Sequence, residues 1–351
     1  MKLHQTNFKN YMHKGKITIH DISKELGIDS STVSRALNNS PRVSKKTKEK
    51  ISAKAKELGY QRNSLASKLR TNKTHTIGVI IPRISRHFFA SAIAGIEETA
   101  YDAGYDVIIC QSLDSYEREQ KLIETLLANR VDGIIISISM ETTNYNHLDR
   151  YKANGFPMIF FDRPCETEKN TNVIIDDFQA SFEVTEHLIF NGYKNIVHFS
   201  GPQTNLLYQN RCKGYKAALK KHKYPIRKEY IIESKLMEED GIENAKKALN
   251  LPNVDAIYSA NDMAAISAMQ YLKSQNIKIP EQIAFAGFSN EPVSAVIEPS
   301  LTTVNQPSFE MGKVATNILF DQLNNNTREN KTTILEPTLI IRNSSSKTNN
   351  N

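Results

Sequence analysis

The chain has 351 residues, enough for two or three domains with ample cores. Its three cysteines, Cys110, Cys165 and Cys212, lack the spacing of a zinc cluster, and an odd set without a pairing pattern favours a reducing cytoplasm. No run approaches the roughly 18 apolar residues of a membrane span, and residues 1–16 lack the apolar core of a signal peptide. We therefore expect a soluble cytoplasmic protein without membrane partners.

Positive charge is concentrated at the N-terminal end. Residues 1–75 contain 17 Lys and Arg against 5 Asp and Glu, a net charge of +12, whereas residues 76–351 contain 28 against 33, a net charge of −5. A charge run is usually a solvated face, but this asymmetry between segments is what binding to a phosphate backbone needs. Residues 1–16 have no apolar pattern and are predicted to be a disordered arm, unless Met12 is the true start.

Residues 17–62 have the apolar spacing of a compact unit of three helices. Gly27 suits the sharp turn after a short first helix, because glycine tolerates a positive φ. Asp29 or Ser30 can cap the second helix, and the third helix is predicted over Val43–Leu58. A surface helical hairpin is the alternative, and the basic charge of the segment disfavours it.

The second of these helices has an outer face of small polar residues and one arginine, Arg35. Val33, Ala36 and Leu37 share the opposite face and are expected to pack inward. Short polar side chains let a helix lie deep in the major groove, where an arginine can bond guanine. The side chains expected to set sequence preference are Ser30, Ser31 and Arg35, and those expected to contact phosphate are Thr32 and Ser34.

The motifs TxxDISxxLGIxxSTVSRALN, RVSKKTKEKI, ELGY and NSLASKL resemble the headpiece of the lactose/galactose repressor family, and the similarity continues to about residue 342. The resemblance implies a helix-turn-helix headpiece over 17–62 and a hinge helix with linker over 63–75. In the family the hinge folds on operator DNA, where the residue matching Leu69 wedges into the minor groove and Ala66 faces the partner hinge. A buried linker leucine is the alternative for Leu69. The DNA-binding residues implied are Thr18, Ser30, Ser31, Thr32, Ser34, Arg35, Asn38, Asn63, Ala66 and Leu69.

From residue 76 onward, apolar runs alternate with amphipathic stretches. The apolar runs predict buried strands at 77–81, 106–110, 133–138, 158–161, 173–175, 196–199, 256–259 and 283–286. The amphipathic stretches predict helices at 88–103, 115–129, 178–191, 208–221, 240–249, 262–275 and 308–324. This alternation is typical of parallel α/β sheets, and the strands are too many for one sheet of ordinary size.

The family resemblance implies a two-lobed core like that of a type I periplasmic sugar-binding protein, with three crossings between the lobes. We place the crossings near 162–165, 289–293 and 322–330. The resulting N-lobe comprises about 76–162 and 291–323, and the C-lobe about 163–290 and 324–342, followed by a disordered tail at 343–351. A small-molecule effector is expected between the lobes, at the carboxyl ends of the strands.

Residues at strand ends are candidates for binding that effector: Phe88, Phe89, Asp162, Arg211, Asn261 and Ser289. The two phenylalanine rings could stack on a sugar or pack into the core. Asp162 could bind hydroxyls, whereas its neighbour Arg163 is better suited to holding a crossover together. Arg211 matches the family arginine that donates to effector oxygens. By resemblance Asn261 faces the ligand, while Asp262 caps the following helix.

Ser289 departs from the family pattern, which has an aspartate there that accepts ligand hydroxyls. Any chelating carboxylate therefore has to come from elsewhere. Asn205 and Leu207 replace the polar side chains of purine-sensing relatives, which disfavours a nucleobase. A sugar or sugar derivative remains the expected effector.

The residues and the resemblance together predict a homodimeric DNA-binding transcriptional regulator, most simply a repressor, that reads a pseudo-palindromic operator and responds to a carbohydrate. A sugar-responsive activator or dual regulator is the alternative. A solute-binding receptor is a remote one, because it would need export and no headpiece. The chain has no nucleophile elbow, Walker loop or dinucleotide fingerprint, and its nine histidines are dispersed, so we expect no enzyme, metal or other cofactor.

Overall fold

The computed structural model describes residues 17–60, 73–153, 155–165, 170–325 and 330–346, without the side chains of Arg150, Lys152 and Ala153. Within these ranges no helix is long and apolar enough to cross a membrane. The chain divides into two compact units, Met1–Asn72 and Lys73–Asn351, called here the headpiece and the core. The predicted arm at 1–16, the hinge residues Asn63, Ala66 and Leu69, and residues 347–351 of the predicted tail lie outside the described residues.

The headpiece contains three helices, α1 (Ile19–Leu26), α2 (Ser30–Leu37) and α3 (Lys45–Glu57). Helix α1 ends at Gly27, whose φ of 63° is the left-handed conformation that glycine adopts readily. The buried side chains between the helices are Ile22, Val33, Ala36, Val43, Ile51 and Ala55. The predicted three-helix unit is therefore confirmed.

Side-chain caps set where these helices begin. Asp29 accepts a hydrogen bond from the Ser31 amide at 2.8 Å, which decides between the two predicted caps of α2. Ser44 accepts from the Thr47 amide at 3.3 Å. Helix α3 consequently begins at Lys45, two residues later than predicted, and Val43 instead packs into the core of the headpiece.

The first lobe of the core is a six-stranded sheet with the order β11-β5-β4-β3-β1-β2, and all its pairings are parallel. Its strands are β1 (Thr76–Ile81), β2 (Asp106–Gln111), β3 (Gly133–Ile136), β4 (Met158–Phe161), β5 (Thr171–Ile175) and β11 (Thr332–Leu335). Its helices are α4 (His87–Asp102), α5 (Tyr116–Ala128), α6 (Asn146–Ala153) and α12 (Ser308–Asn325). Helices α4 and α12 approach closely at two glycines, because a Cβ on Gly95 or Gly312 would come within 2.1 Å of a backbone oxygen of the other helix.

The second lobe is a six-stranded sheet with the order β12-β10-β9-β8-β6-β7, parallel except at β12. Its strands are β6 (Ile196–Ser200), β7 (Ile231–Glu233), β8 (Ala256–Ser259), β9 (Ala284–Phe288), β10 (Thr302–Asn305) and β12 (Thr338–Ile340). Its helices are α7 (Asp177–Phe190), α8 (Leu206–Lys221), α9 (Glu238–Leu249), α10 (Asp262–Ser274) and the short α11 (Val293–Val296), with a 3-10 turn at Lys228–Tyr230. The predicted two-lobed α/β core is confirmed.

The structure differs from the predicted positions of the lobe crossings. Strand β5 pairs with β4 in the first sheet, so the chain first crosses between Ile175 and Asp177, not near 162–165. Strand β10 pairs with β9 in the second sheet, and α12 packs on the first, which places the second crossing at 306–307. The third crossing lies at 336–337, between β11 and β12. The strands β10 (TTVN) and β11 (TTIL) each begin with two threonines and lack the apolar runs on which the prediction depended.

Residues at both ends of the core that were predicted to be linker or disordered tail are hydrogen-bonded to the core. The amides of Thr74 and His75, assigned to the linker, donate to Asp132 at 2.8 Å each. Ser344 and Ser345, assigned to the disordered tail, are fully buried. Ser344 Oγ donates to the Phe285 carbonyl at 2.7 Å, and its amide is bonded to Ser300. The described part of the tail, through residue 346, is thus a segment of the second lobe.

His198 in β6 is buried between two tyrosine rings. The imidazole is nearly parallel to Tyr215 and Tyr258, with ring centroids 5.0 and 4.7 Å away. Nδ1 bonds the Tyr258 carbonyl at 3.1 Å, and Nε2 has no hydrogen-bond partner among the described residues. Burial lowers the pKa of His198 to about 3, so the ring is neutral at neutral pH.

His198 should make the core less stable in mild acid, because its imidazole is then protonated in the unfolded chain but not in the folded one. Because the pKa is about 3 in the folded chain and about 6.5 in an unfolded one, stability is lost as pH falls below 6.5. The loss attributable to this group between pH 7 and pH 5 is about 2 kcal/mol. His198→Phe keeps a flat ring that cannot titrate, and it should shrink the difference in unfolding free energy between the two pH values by that amount. Urea unfolding followed by circular dichroism measures it, and an unchanged difference would contradict the assignment.

Candidate functional site

The predicted DNA-binding residues of α2 form one exposed surface. Ser31, Arg35 and Asn38 follow one another at spacings of four and three along the side opposite the buried Val33 and Ala36, and all three are exposed. Ser30, Thr32 and Ser34 are half-buried at its margins. The Asn38 amide donates to the Ser34 carbonyl at 2.7 Å, which holds its side chain against the end of the helix. This surface is short and polar, as entry into a groove requires.

Other parts of the headpiece support this surface. Thr18 is exposed, and its amide and hydroxyl both donate to Asp21 at 2.7 Å, fixing the start of α1. After α2, Lys48 donates to the side chain of Asn39 at 2.8 Å and to its carbonyl at 3.1 Å. Asn39 has a φ of 53°, which asparagine tolerates better than most residues. The turn that follows α2 is therefore hydrogen-bonded to α3.

The core has a cleft lined by loops at the carboxyl ends of strands from both sheets. It contains about 670 Å³ of space unoccupied by protein atoms, part of it open to solvent. Its lining includes all the predicted effector-binding residues: Phe88, Phe89, Asp162, Arg211, Asn261 and Ser289. Residues in this lining that the sequence interpretation missed include Arg83, Arg86, Asp114, Met140, Lys235 and Gln306. Parallel α/β sheets place their ligand sites at this edge.

The two phenylalanines at the start of α4 are largely packed in the core. Phe88 is 5% exposed and Phe89 is 6% exposed. Phe89 meets Phe88 and Phe161 edge to face, at centroid distances of 5.0 and 6.3 Å. The arrangement favours the packing alternative for much of each ring, while both still contribute to the cleft lining.

A buried guanidinium joins three loops of the first lobe. Arg163 Nη1 donates to Asp114 at 2.5 Å and to the Ile138 carbonyl at 2.9 Å, and its Nε lies 3.8 Å from Asp162. Burial alone would lower the pKa of Arg163, but Asp114, Tyr208 and Asp162 together outweigh burial and the pKa is raised. All these partners belong to loops after β2, β3 and β4. Arg163 therefore holds one wall of the cleft together. The sequence interpretation, in which Arg163 holds a lobe crossover together, is wrong.

Asp162 is held in an unusual conformation beside this arginine. Its φ is 62°, in the left-handed region, and Ser137 Oγ donates to its carboxylate at 3.1 Å. Burial raises the pKa of Asp162, an effect that Arg163 only partly opposes. The carboxylate is thus positioned at the cleft by its backbone and by two neighbours.

Arg211 is the corresponding group of the second lobe. Its Nε donates to Asp177 at 2.8 Å, its Nη1 donates to the Ala260 carbonyl at 2.7 Å, and its Cζ lies 3.5 Å from the centroid of the Phe288 ring. These contacts leave Nη2 without a hydrogen bond among the described residues. Burial raises the pKa of Asp177 to about 6, although Arg211 acts in the opposite direction.

Asp177 could not be identified from the sequence as the partner of Arg211. The segment IIDDFQ follows a strand and precedes a helix, and in that position an aspartate is expected to cap. Asp176 does so, accepting from the Gln179 amide at 2.8 Å. Asp177 is the first residue of α7, directly after the first lobe crossing, and it turns inward.

Asn261, which lines the cleft as predicted, also caps α10 in place of Asp262. Asn261 is the cap of α10, accepting from the Ala264 amide at 2.9 Å and donating to the Leu236 carbonyl at 2.9 Å. The Asp262 carboxylate is fully buried and accepts from three groups, the Thr303 hydroxyl at 2.6 Å and the Ser294 hydroxyl and Glu291 amide at 2.8 Å. The prediction that Asp262 caps the helix is wrong, because this carboxylate ties the end of β8 to the loops around β10.

Ser289 ends β9 with a φ of 117°, a strained conformation for a residue with a Cβ. Its hydroxyl accepts from Gln306 Nε2 at 3.1 Å. Gln306 is 6% exposed, and its Oε1 has no hydrogen-bond partner among the described residues. At the entrance to α8, Asn205 caps the helix through the Leu207 amide at 3.0 Å, so its side chain is committed to the backbone.

Comparison with known proteins connects these two sites to one family. Residues 18–63 match the model of bacterial regulatory proteins of the lacI family, and residues 74–343 match that of periplasmic binding proteins and the sugar binding domain of the LacI family. Catabolite control protein A of Priestia megaterium is 33% identical over 313 residues, covering 89% of this chain and 94% of the relative. The transcriptional repressor PurR of Vibrio parahaemolyticus serotype O3:K6 is 30% identical over 334 residues, covering 95% and 99%. The crystal structure of the lac repressor dimer bound to operator and the anti-inducer ONPF is 25% identical, with a TM-score of 0.84 over 95% of this chain and 100% of that one.

Ser30 and Ser31, at the start of α2, should govern which DNA sequence is preferred. Replacing Ser30 and Ser31 together by alanine should change the sequences recovered by selection from a random duplex library, because base-edge contacts carry the specificity. Ser52→Ala, on the exposed side of α3, is the matched control and should leave the recovered sequences unchanged. Recovery of the same sequences by the double variant would show that the recognition surface is assigned incorrectly.

The buried pair of Arg211 and Asp177 should be strongly coupled. Asp177→Ala leaves a buried guanidinium without its counter-charge and should lower the unfolding free energy by roughly 3–5 kcal/mol. The same change at exposed Asp176 removes only a cap and should cost about 1 kcal/mol. In urea unfolding, Asp177→Ala combined with Arg211→Met should cost much less than the sum of the two single changes. Simple additivity would mean that the pair is not coupled.

Proposed function

Because this chain belongs to the LacI family of bacterial regulatory proteins, we propose that it is a repressor whose affinity for operator DNA is set by a carbohydrate or carbohydrate derivative in the core cleft. It is a DNA-binding transcriptional regulator, and its relatives are regulators and not enzymes. The observation that carries the proposal is the presence in one chain of an exposed polar recognition surface and a ligand cleft. The sugar-binding description of the core model supports the choice of a carbohydrate.

In the proposed mechanism, two copies pair so that two α2 helices read the half-sites of a pseudo-palindromic operator. The effector binds both lobes of the core and changes the angle between them, and with it the separation of the hinges. Coupling of this kind is typically worth about 1–3 kcal/mol, or a change in operator affinity of roughly 5- to 150-fold. The coupling is reciprocal, so operator DNA changes the affinity for effector by the same factor.

Other candidate functions are less well supported. A solute-binding receptor has no use for the headpiece matched at residues 18–63. A nucleobase effector is disfavoured, because Leu207 is apolar and the Oδ1 of Asn205 is used in capping α8. An activator or dual regulator would use the same parts, because the sign of regulation depends on where the operator lies.

The first test links the two sites in one measurement. Operator duplexes recovered by selection are titrated with the full chain, with and without each member of a panel of sugars, sugar phosphates and nucleobases. A carbohydrate of the correct class should raise the melting temperature of the protein by several degrees. It should also change the affinity for operator DNA by at least about fivefold. Binding of a carbohydrate with no effect on operator affinity would refute ligand control.

A further inference from the structure

The charges that line the core cleft are unevenly compensated. Of the carboxylates, Asp114 and Asp162 are paired with Arg163, which lies 2.5 Å from the first and 3.8 Å from the second. Asp262 is fully buried and accepts three hydrogen bonds from its own lobe. Burial raises the pKa of Glu291, the fourth carboxyl group of the lining. Three of the four carboxylates, Asp114, Asp162 and Asp262, therefore have ion-pair or hydrogen-bond partners within the described residues.

Two cations of the lining, by contrast, have no hydrogen-bonded carboxylate among the described residues. Arg83 Nε is a buried donor with no hydrogen-bond acceptor among the described residues, and the nearest carboxylate oxygen, on Asp114, is 3.6 Å away. Asp114 is already engaged by Arg163 at 2.5 Å. Lys235 is exposed at the cleft and makes no hydrogen bond or ion pair within the described part of the chain, so its ammonium group is free to bind a ligand. A buried donor without an acceptor is costly, so a missing acceptor at Arg83 is informative.

Arg83 and Lys235 come from opposite lobes but from loops that meet. Arg83 and Arg86 lie in the loop between β1 and α4, and Lys235 and Met237 lie in the loop between β7 and α9. Arg86 Nη2 contacts Met237 Sδ at 3.8 Å across the cleft. The contact brings the two loops together, and it concentrates positive charge at that end of the cleft.

A different part of the lining has polar groups but no charge. Ser289 and Gln306 form a neutral pair, and the unpartnered Oε1 of buried Gln306 needs a donor. A hydroxyl group would satisfy it, whereas a carboxylate or phosphate oxygen would not. The lining thus combines a site for hydroxyls with an end where Arg83 Nε lacks a hydrogen-bond acceptor.

We propose that the effector is a hydroxylated molecule with one anionic group, a phosphate ester or a carboxylate, bound by Arg83 and Lys235, while Ser289 and Gln306 bind its hydroxyls. The inference rests on the proposed function and narrows its effector class. An anion between the two loops supplies the acceptor that Arg83 Nε lacks, and its contacts with both lobes would favour the closed cleft. Charge-assisted hydrogen bonds are about twice as strong as neutral ones, so the anion contributes much of the affinity.

The test compares each sugar with its own charged derivatives, using the full chain. Glucose is measured against glucose 6-phosphate and gluconate, fructose against fructose 1-phosphate, and inorganic phosphate alone is included. Calorimetric titration should give at least one charged member about 10- to 100-fold greater affinity than its neutral parent. The phosphate and carboxylate members distinguish the two possible anions.

Variants then connect the preference to named groups. Arg83→Gln and Lys235→Gln should each remove most of the preference for the charged member while leaving the affinity for the neutral parent little changed. Lys121→Gln, the same loss of charge on an exposed position of α5, is the control and should keep the preference. Ser289→Asp adds a negative charge without a change in backbone strain, since both residues have a Cβ, and should weaken binding of the charged member.

The outcomes separate this inference from the function on which it rests. A neutral sugar that binds as tightly as its charged derivatives and changes operator affinity would overturn the inference and leave the proposed function standing. A preference for the charged member that survives both Arg83→Gln and Lys235→Gln would overturn the assignment of residues. Failure of every member to bind would count against both proposals.

Discussion

Burial of charge at the cleft is the constraint on which the rest of the core depends. A guanidinium removed from water must keep a counter-charge and hydrogen-bond acceptors, and Arg211 finds them in Asp177, the Ala260 carbonyl and the Phe288 ring. These groups come from the start of α7, the end of β8 and the end of β9. The cleft wall of the second lobe is therefore fixed before any ligand arrives.

The first lobe uses the same device with different partners. Arg163 gathers the loops after β2, β3 and β4 through Asp114, the Ile138 carbonyl and Asp162. In both lobes a rigid buried cation sets the loop positions, which preorganises the cleft. The groups that remain incompletely satisfied, Arg83 and Gln306, lie among these ordered loops and not in a separate cavity.

Elements with a strong local signal could be predicted from the sequence, and those defined by distant partners could not. The apolar runs IGVII and MIFF identify central strands because both faces of a parallel sheet are buried. The strands Thr302–Asn305 and Thr332–Leu335 are polar, so the lobe crossings next to them were misplaced. All six candidate effector residues reach one cleft because strand ends converge. Which of two adjacent residues caps a helix could not be predicted. At Asn261 and Asp262 the choice depends on groups more than 25 positions away in the sequence.

The three crossings between lobes have a consequence for synthesis on the ribosome. The first sheet receives its edge strand from Thr332–Leu335, and the second receives one from Thr338–Ile340. Buried Ser344 then bonds the Phe285 carbonyl within the second sheet. Neither lobe is a contiguous stretch of chain, so each sheet lacks an edge strand until residues 332–340 have been added. The headpiece, by contrast, is local in sequence and can fold first, so the DNA-binding unit is complete before either sheet of the core.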